Sequence, residues 1–383
     1  MEEASLARGF TDLFGTGPDR VWRAPGRVTV IGDHTDYQGG QSVAAAVSEC
    51  VLVAVRDRND RRVRARSLTT GEDLDADVSD LVAGVGQSPS GNGPASGLRG
   101  FVSAVLVLGG RRSGADILVG GTLPPGSGLS SSAALSLALI GALSGADEPD
   151  PKWAQIAQTL ENRYLGVPSG LLDQLALLYA RDGYAILIDA GRQVAEAVWF
   201  DWARAGRALL IVDTGVTRRL SETPYGERVR EARQAAVLLG LPNLASARIE
   251  DVECLDETPL LQRRARHVTS ENRRVGEAVK AAARGDWDTV ADLMRASHAS
   301  LRDDYDVSER VLDATCELFD RLGPHTGARL TGAGFGGSVI ALLPIALEKA
   351  AKVALVRMYA ERGFGTPRLL TLGRPAPGVQ RLQ

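Results

Sequence analysis

Runs of apolar residues separated by glycine, proline and polar residues mark the predicted strands of this chain. Residues 28–31 are one such run, and residues 42–57 divide into two apolar halves around Ser48 and Glu49, which predicts two strands in a hairpin. Three later runs predict further strands, and the last two are compact enough to be buried on both faces of a sheet. These later strands are predicted within residues 114–120, 183–189 and 207–216.

Amphipathic spacing, with glycine at the point where it stops, predicts the helices. One helix follows the Pro- and Gly-rich turn of residues 121–128 and stops near Gly145. The others are predicted at residues 226–239 before Gly240, at 267–283 and 287–302 around Gly285 and Asp286, and at 345–362 before Gly363. Residues 84–98 have no periodicity and are rich in Gly, Ser, Pro and Asn, which predicts a surface loop.

Length and composition narrow the class of protein. With 383 residues, the chain favours two domains, and a boundary near residues 190–205 divides it about equally. A net charge of −3, with 24% charged residues, gives no attraction to nucleic acid or to an anionic membrane. No uninterrupted apolar segment approaches the roughly 20 residues that span a bilayer.

The cysteines and the N-terminus indicate a cytoplasmic setting. Cys50, Cys254 and Cys316 lie far apart and form no CxxC pair, so we expect small buried hydrophobic residues rather than disulfides or metal ligands. The acidic start of the chain leads into no signal-peptide segment.

A polar cluster, GDHTDYQ at residues 32–38, directly follows the strand predicted at residues 28–31. It places two carboxylates, an imidazole and hydroxyl groups at the end of one strand. Such a concentration of hydrogen-bonding groups is typical of a binding site for a polar ligand.

The segment LPPGSGLSSSAAL, residues 123–135, has the composition of a phosphate-binding loop. Its glycines allow tight turns, and its serines supply hydroxyl and N–H groups at a helix start, where an anion is favoured. The segment is not a Walker A loop, because GxxxxGK[ST] is absent. The residues predicted to cradle phosphate are Gly126, Ser127, Gly128, Leu129, Ser130, Ser131 and Ser132.

A second glycine-rich segment, RLTGAGFGGSVIAL, occupies residues 329–342. A dinucleotide-binding glycine loop opens a helix, whereas the residues after Gly337 continue as a strand. We therefore expect a loop whose backbone closely approaches a ligand.

Asp173 stands in the apolar segment GVPSGLLDQLALLYA, residues 166–180. An ionised carboxylate in apolar surroundings must be paired or hydrogen-bonded. Asp173 is therefore a candidate base.

In this order, the motifs resemble those of the GHMP small-molecule kinases and, within them, the galactokinases. The resemblance extends to ENRYLGVPSGLLDQ (161–174), RARHVTSENRR (264–274) and LMRASHASLRDDYDVS (293–308). It implies an α+β fold of two domains, residues 1–200 and 201–383, with the active site in the cleft between them. It also implies transfer of the ATP γ-phosphoryl group to the anomeric hydroxyl of D-galactose, by a monomer.

The resemblance assigns roles to individual residues. Asp173 lies beside the anomeric oxygen, where a carboxylate accepts the proton of the attacking hydroxyl. Arg27 keeps Asp173 ionised and stabilises developing charge. Ser132 and Glu161 match the Mg²⁺ positions, as hard oxygen ligands would. The positions that match the sugar site are Asp33, His34, Thr35, Asp36 and Tyr225.

Asp33 departs from the family pattern, because galactokinases usually carry glutamate there. A side chain that is one methylene shorter keeps L-arabinose open as an alternative substrate, since this sugar shares the ring configuration of galactose but lacks C6. A non-catalytic galactose and ATP sensor is a second alternative, which the complete GLSSSAAL loop disfavours. We interpret His267 and His298 as core or capping histidines, and the scattered histidines disfavour a histidine metal site.

Overall fold

The computed structural model describes residues 2–84, 97–166, 169–216 and 224–383. Most of the loop predicted at residues 84–98 lies outside these ranges. The first part of the chain forms α1 (Glu3–Phe14), β1 (Arg20–Ile31), β2 (Gln41–Asp57), β3 (Arg62–Ser67), β4 (Asp73–Asp77), α2 (Val78–Ala83), α3 (Gly97–Leu108), β5 (Ala115–Gly121), α4 (Ser131–Ser144), α5 (Trp153–Thr159), α6 (Leu172–Leu178), β6 (Ala185–Asp189) and β7 (Val194–Val198).

The rest of the chain is mainly helical around a smaller sheet. It forms β8 (Arg207–Asp213), α7 (Pro224–Leu238), α8 (Ile249–Glu253), α9 (Pro259–Ala283), α10 (Trp287–Asp303), α11 (Arg310–Asp320), β9 (Gly327–Thr331), β10 (Ser338–Pro344), α12 (Glu348–Arg362), β11 (Arg368–Leu372) and β12 (Gln380–Arg381). Short 3₁₀ turns occupy Asp36–Gln38, Leu244–Ser246 and Ile345–Leu347, and a π-helical turn occupies Leu160–Tyr164.

The described strands form two sheets. The larger has the order β12-β1-β2-β5-β3-β4, with β6 paired to β2 and β7 paired to β6, and the smaller has the order β11-β8-β10-β9. The sheets fall on either side of residue 200, except that β12 returns to β1. The division into domains at that residue stays a prediction.

Strand β8 of the smaller sheet is buried on both faces, as its compact apolar run predicted. Leu209 and Ile211 of β8 join the core cluster that includes Trp22. Leu210 and Val212 join a second cluster on the opposite face, because successive side chains of a strand alternate. The glycine loop between β9 and β10 therefore emerges from a sheet fixed on both sides.

The predicted hairpin in residues 42–57 is wrong, because β2 is one continuous strand. It pairs antiparallel with β1, but the register shifts between Pro25 opposite Cys50 and Arg27 opposite Ala46. Ser48 therefore lies in an irregular part of the ladder, where it is exposed. Polar residues in the middle of an apolar run here mark a bulge rather than a turn.

The cysteine prediction is correct for two positions and wrong for the third. Cys50 and Cys316 are buried and free, whereas Cys254 is free and exposed. Cys254 directly follows the short helix α8, where the chain lies at the surface.

Candidate active site

Arg27 joins two of the predicted motifs. Its side chain is 7% exposed and donates from Nε and Nη2 to Asp173 Oδ1 at 2.9 and 2.5 Å. Nη1 donates to the carbonyl oxygen of Gly128 at 2.9 Å, and the backbone N–H donates to that of Leu129 at 3.1 Å. Arg27 pairs with Ala46 directly after the β1–β2 register shift.

Asp173 is held through both carboxylate oxygens. It lies in the first turn of α6, and Ser130 Oγ donates to its Oδ2 at 2.5 Å. The Asp173 side chain is 28% exposed, so it remains open to a ligand. The predicted need for a partner is met by one charged group and one hydroxyl.

Three carbonyl oxygens of the phosphate loop, residues 124–132, accept hydrogen bonds from residues outside the loop. Arg27 donates to the carbonyl oxygens of Gly128 and Leu129, and Ser338 Oγ donates to the carbonyl oxygen of Ser127 at 2.7 Å. Ser130 adopts φ 60° immediately before α4 begins at Ser131. With its carbonyl groups engaged, the loop offers the N–H groups at the start of α4 to an anion.

Within this loop, Gly126 and Gly128 have φ values of 75° and 82°, which glycine adopts without strain. The Ser127 hydroxyl donates to the carbonyl oxygen of Pro124 at 2.9 Å, and Leu129 is fully buried. These residues shape the loop.

Glu161 is buried beside Ser132. It belongs to the π-helical turn, and its Oε1 accepts a hydrogen bond from Ser132 Oγ. Oε2 accepts from Ser169 Oγ and Gln174 Nε2, both at 2.8 Å. Burial, followed by the charge of Asp173, raises the pKa of Glu161 above its usual value. A cation at this site would oppose both effects.

Hard oxygen donors meet at Ser132 and Glu161, and this donor set fits Mg²⁺ when phosphate and water oxygens complete it. Among the described residues, no group of three or more His, Cys, Asp or Glu side chains could hold a metal ion. A divalent cation held by this one carboxylate and one hydroxyl would need its remaining ligands from outside the protein.

The sugar loop, residues 32–40, carries an aromatic group around His34. His34 has φ 64°, and its Nδ1 lies 2.8 Å from the hydroxyl of Tyr37. That hydroxyl lies 2.8 Å from the hydroxyl of Tyr305, two residues after the end of α10. The ring of Tyr225 lies 5.7 Å from that of His34 and 5.9 Å from that of Tyr37, so the structure brings this predicted residue to the loop.

Thr35 and Asp36 have different surroundings within this loop. The Thr35 hydroxyl is buried 2.9 Å from the carbonyl oxygens of Gly32 and Gln41, so it holds the loop closed. Burial, followed by the charge of Asp173, raises the pKa of Asp36 to about 6. The carboxylate of Asp36 packs against Gly170, three residues before Asp173.

The carboxylate of Asp33 accepts hydrogen bonds from the C-terminal half of the chain. Its Oδ2 accepts from Arg329 Nη2 at 2.8 Å, and its Oδ1 accepts from the N–H of Gly332 at 3.1 Å. Burial raises the pKa of Asp33, and the charges of Arg329 and Arg27 oppose this increase. His267 and His298 are buried, as predicted for core histidines, and His267 Nε2 lies 3.2 Å from the carbonyl oxygen of Asp33.

Sequence reasoning missed several residues that shape the site. Gln174 and Ser169 hold Glu161, and both lie near Asp173 in the sequence, which was a usable signal. Gly170 permits close packing, because a Cβ there would collide with the carboxylate of Asp36. No pattern linked Arg329 to Asp33, which lies 296 residues earlier.

The chain was compared with known families and structures. Residues 8–57 match the galactokinase galactose-binding signature, residues 99–181 the GHMP kinase N-terminal domain and residues 278–361 the GHMP kinase C-terminal domain. In the described ranges, no helix is long and apolar enough to cross a membrane.

Similarity to individual proteins extends over almost the whole chain. A galactokinase of Streptomyces coelicolor is 35% identical over 99% of this chain and 98% of its own, and one of Chloroflexus aurantiacus is 36% identical over 94% and 93%. The crystal structure of Lactococcus lactis galactokinase complexed with galactose superposes with a TM-score of 0.89, at 29% identity and 98% coverage of both chains. The chain therefore belongs to the galactokinase family of GHMP kinases.

Proposed function

We propose that this protein transfers the γ-phosphoryl group of ATP to the C1 hydroxyl of D-galactose, which gives galactose 1-phosphate and ADP. The observation that carries the proposal is the position of Asp173, which Arg27 and Ser130 hold beside the phosphate loop, three residues after the Gly170 that packs against Asp36 of the sugar loop. A hydroxyl bound there would face a carboxylate on one side and a polyphosphate on the other.

In this mechanism, Asp173 accepts the proton of the C1 hydroxyl as that oxygen attacks the γ-phosphorus. Arg27 orients Asp173 and stabilises negative charge on the transferring group. Because phosphoryl transfer depends largely on positioning and electrostatics, the bonds that fix Asp173 contribute directly to the rate.

For the sugar, we propose that His34 and Asp36 bind hydroxyl groups and that Tyr225 forms the opposite wall. The packing of the Asp36 carboxylate against Gly170, three residues before Asp173, supports this assignment, because both carboxylates must reach one sugar ring. Thr35 contributes by holding the loop, since its hydroxyl already contacts backbone carbonyl groups.

For the nucleotide, we propose that the backbone of residues 126–132 binds the ATP phosphates. Ser132 and Glu161 would hold Mg²⁺, which when bound neutralises phosphate charge during transfer. The hydrogen bonds of Ser169 and Gln174 keep Glu161 oriented toward Ser132.

The test is ADP release by the purified protein with Mg-ATP and a panel of D-galactose, 2-deoxygalactose, L-arabinose, glucose and N-acetylgalactosamine. We expect the highest kcat/KM for D-galactose. Efficient turnover of L-arabinose without turnover of galactose would show that the proposed substrate is wrong, while the assignment to the family would stand. Sugar and ATP binding without ADP release would favour the sensor alternative.

We also propose that the protein acts in the cytoplasm as a monomer with the two domains predicted from the sequence. Sedimentation at working concentration tests the oligomeric state. Limited proteolysis near residue 200 tests the domain boundary.

A further inference from the structure

The carboxylate of Asp33 is buried between β1 and β9, with 5% of the side chain exposed. Each oxygen accepts a hydrogen bond from the C-terminal half, Oδ2 from Arg329 and Oδ1 from the N–H of Gly332. The carbonyl oxygen of Asp33 lies 3.2 Å from His267 Nε2. The residue is thus fixed through both its side chain and its backbone.

Arg329 is fully buried and uses all three of its nitrogen atoms. Besides Asp33, it donates from Nη1 to the carbonyl oxygen of Thr29 at 2.9 Å and from Nε to Ser297 Oγ at 3.0 Å. A planar guanidinium engaged in three directions has one allowed orientation. Arg329 therefore fixes the position of Asp33 relative to β1 and α10.

Glu271 of α9 extends the same network to the start of the sugar loop. Its Oε1 accepts from the N–H of Gly32 at 2.9 Å and from Ser297 Oγ at 2.6 Å, and its Oε2 accepts from Arg274 Nε at 2.7 Å. Burial alone would raise the pKa of Glu271, but Arg274 and Arg329 lower it to about 2. Two carboxylates and two guanidinium groups thus balance in charge.

We propose that Asp33 is a positioning residue, which clamps the sugar loop to Arg329 and the C-terminal glycine loop and binds no hydroxyl of the sugar. The inference rests on the proposed function and revises the prediction that Asp33 is a sugar ligand. The Asp33 side chain is only 5% exposed and accepts an N–H donor on each oxygen, whereas Asp36, three residues later, is partly exposed and packs against Gly170, close to Asp173 in the sequence.

The test measures kcat/KM of Asp33→Asn and of the unaltered protein for galactose, for analogues that each lack one hydroxyl and for L-arabinose. The analogues are 2-, 3-, 4- and 6-deoxygalactose. A misplaced loop weakens recognition of every sugar, so we expect kcat/KM to fall about tenfold throughout, with ratios between sugars unchanged within about threefold. A direct ligand behaves differently, because its loss does not affect the analogue that lacks the hydroxyl it bound.

Asp36→Asn is the matched control in the same loop. It should spare one analogue and impair the others, since Asp36 is proposed to bind a hydroxyl. If Asp33→Asn spares one analogue in the same way, Asp33 is a ligand and the clamp is overturned.

Arg329→Lys tests the clamp from its other side. Lysine keeps the charge but loses the fork of donors, so we expect the same uniform loss across the panel. The loss in the double variant should be smaller than the product of the two single losses, because both variants break one network. Independent, multiplicative losses would contradict the clamp.

A crystal structure of the unaltered protein with galactose decides the question even if both variants fail to fold. Asp33 should remain on Arg329 and Gly332, and a carboxylate oxygen within about 3.2 Å of a sugar oxygen would overturn the proposal. If the unaltered protein turns over a different sugar but not galactose, the proposed function fails instead, and the same variants are assayed with that sugar and its deoxy analogues.

Discussion

The sugar loop and the phosphate loop meet at Asp173, but the protein holds them in different ways. The buried side chains of Arg329 and Glu271, both in the C-terminal half, fasten the sugar loop, and Asn272 accepts from the N–H of Gln41 directly after it at 2.8 Å. The phosphate loop is held instead through its carbonyl oxygens, by Arg27 and Ser338.

The difference follows from what each loop is proposed to bind. Discrimination between sugar hydroxyls requires individually placed side chains, because unpaired polar groups penalise the wrong substrate. A phosphate requires N–H donors, so hydrogen bonds to the carbonyl oxygens hold the phosphate loop while its N–H groups stay available to the ligand. Substitutions should therefore affect the two loops differently, and the following variants test this from the largest expected effect to the smallest.

Asp173→Asn, at the meeting point of both loops, should give the largest effect. We expect kcat to fall by about 10³-fold, since general-base catalysis typically contributes 10²- to 10⁴-fold. Galactose affinity, measured by calorimetry without nucleotide, should change less than about fivefold, because an amide keeps the shape of the site. A proportional loss of affinity and kcat would assign Asp173 to binding rather than catalysis.

Asp36→Asn should weaken sugar recognition and stabilise the fold. The pKa of Asp36 is raised from 3.8 to about 6 in the folded protein. At pH values above about 6, the ionisation of Asp36 therefore opposes folding. The unfolded chain releases this proton at lower pH, so the stability contribution of Asp36 declines as pH rises from about 4 to 6. At pH 7 the free energy of unfolding of the variant should therefore be about 3 kcal/mol higher than that of the unaltered protein.

Urea unfolding at several pH values checks this prediction. The advantage of Asp36→Asn should shrink to below about 1 kcal/mol at pH 4, where both states hold the proton for much of the time. Galactose KM should rise about tenfold or more in the same variant. An advantage that does not depend on pH would show that the ionisation of Asp36 is not its source.

Gln174→Leu should raise the Mg²⁺ requirement with little loss of stability. Gln174 is fully buried and donates to Glu161, while its own Oε1 has no hydrogen-bond partner among the described residues. Leucine removes that unpaired atom, but Glu161 loses a donor that orients it. We expect the Mg²⁺ concentration for half-maximal rate to rise about tenfold, as for other residues that orient metal ligands.

Gln155→Leu on α5 is the matched control, because Gln155 is exposed and makes no contact with Glu161 among the described residues. It should leave the Mg²⁺ titration unchanged. An equal shift in both variants would assign the effect to altered solubility or folding.

These contacts also indicate how far the sequence was informative. The motifs located the strand before the sugar loop, the turn into α4 and the strands on either side of the glycine loop, because local glycine and apolar spacing determine these elements. They did not locate the partner of Asp33, since an isolated arginine 296 residues away carries no pairing signal. The hairpin predicted at Ser48 and Glu49 was wrong for a related reason. A bulge is defined by its partner strand, which lies elsewhere in the sequence.

Ser338→Ala should give the smallest effect and applies to the phosphate loop alone. It removes the donor to the carbonyl oxygen of Ser127, which is worth about 1 kcal/mol for a neutral hydrogen bond. We expect KM for ATP to rise about threefold to fivefold, with KM for galactose unchanged. The control is Ser136→Ala in α4, whose buried hydroxyl has no hydrogen-bond partner among the described residues and should be dispensable. If Ser338→Ala raised KM for galactose instead, the glycine loop would support the sugar loop rather than the phosphate loop.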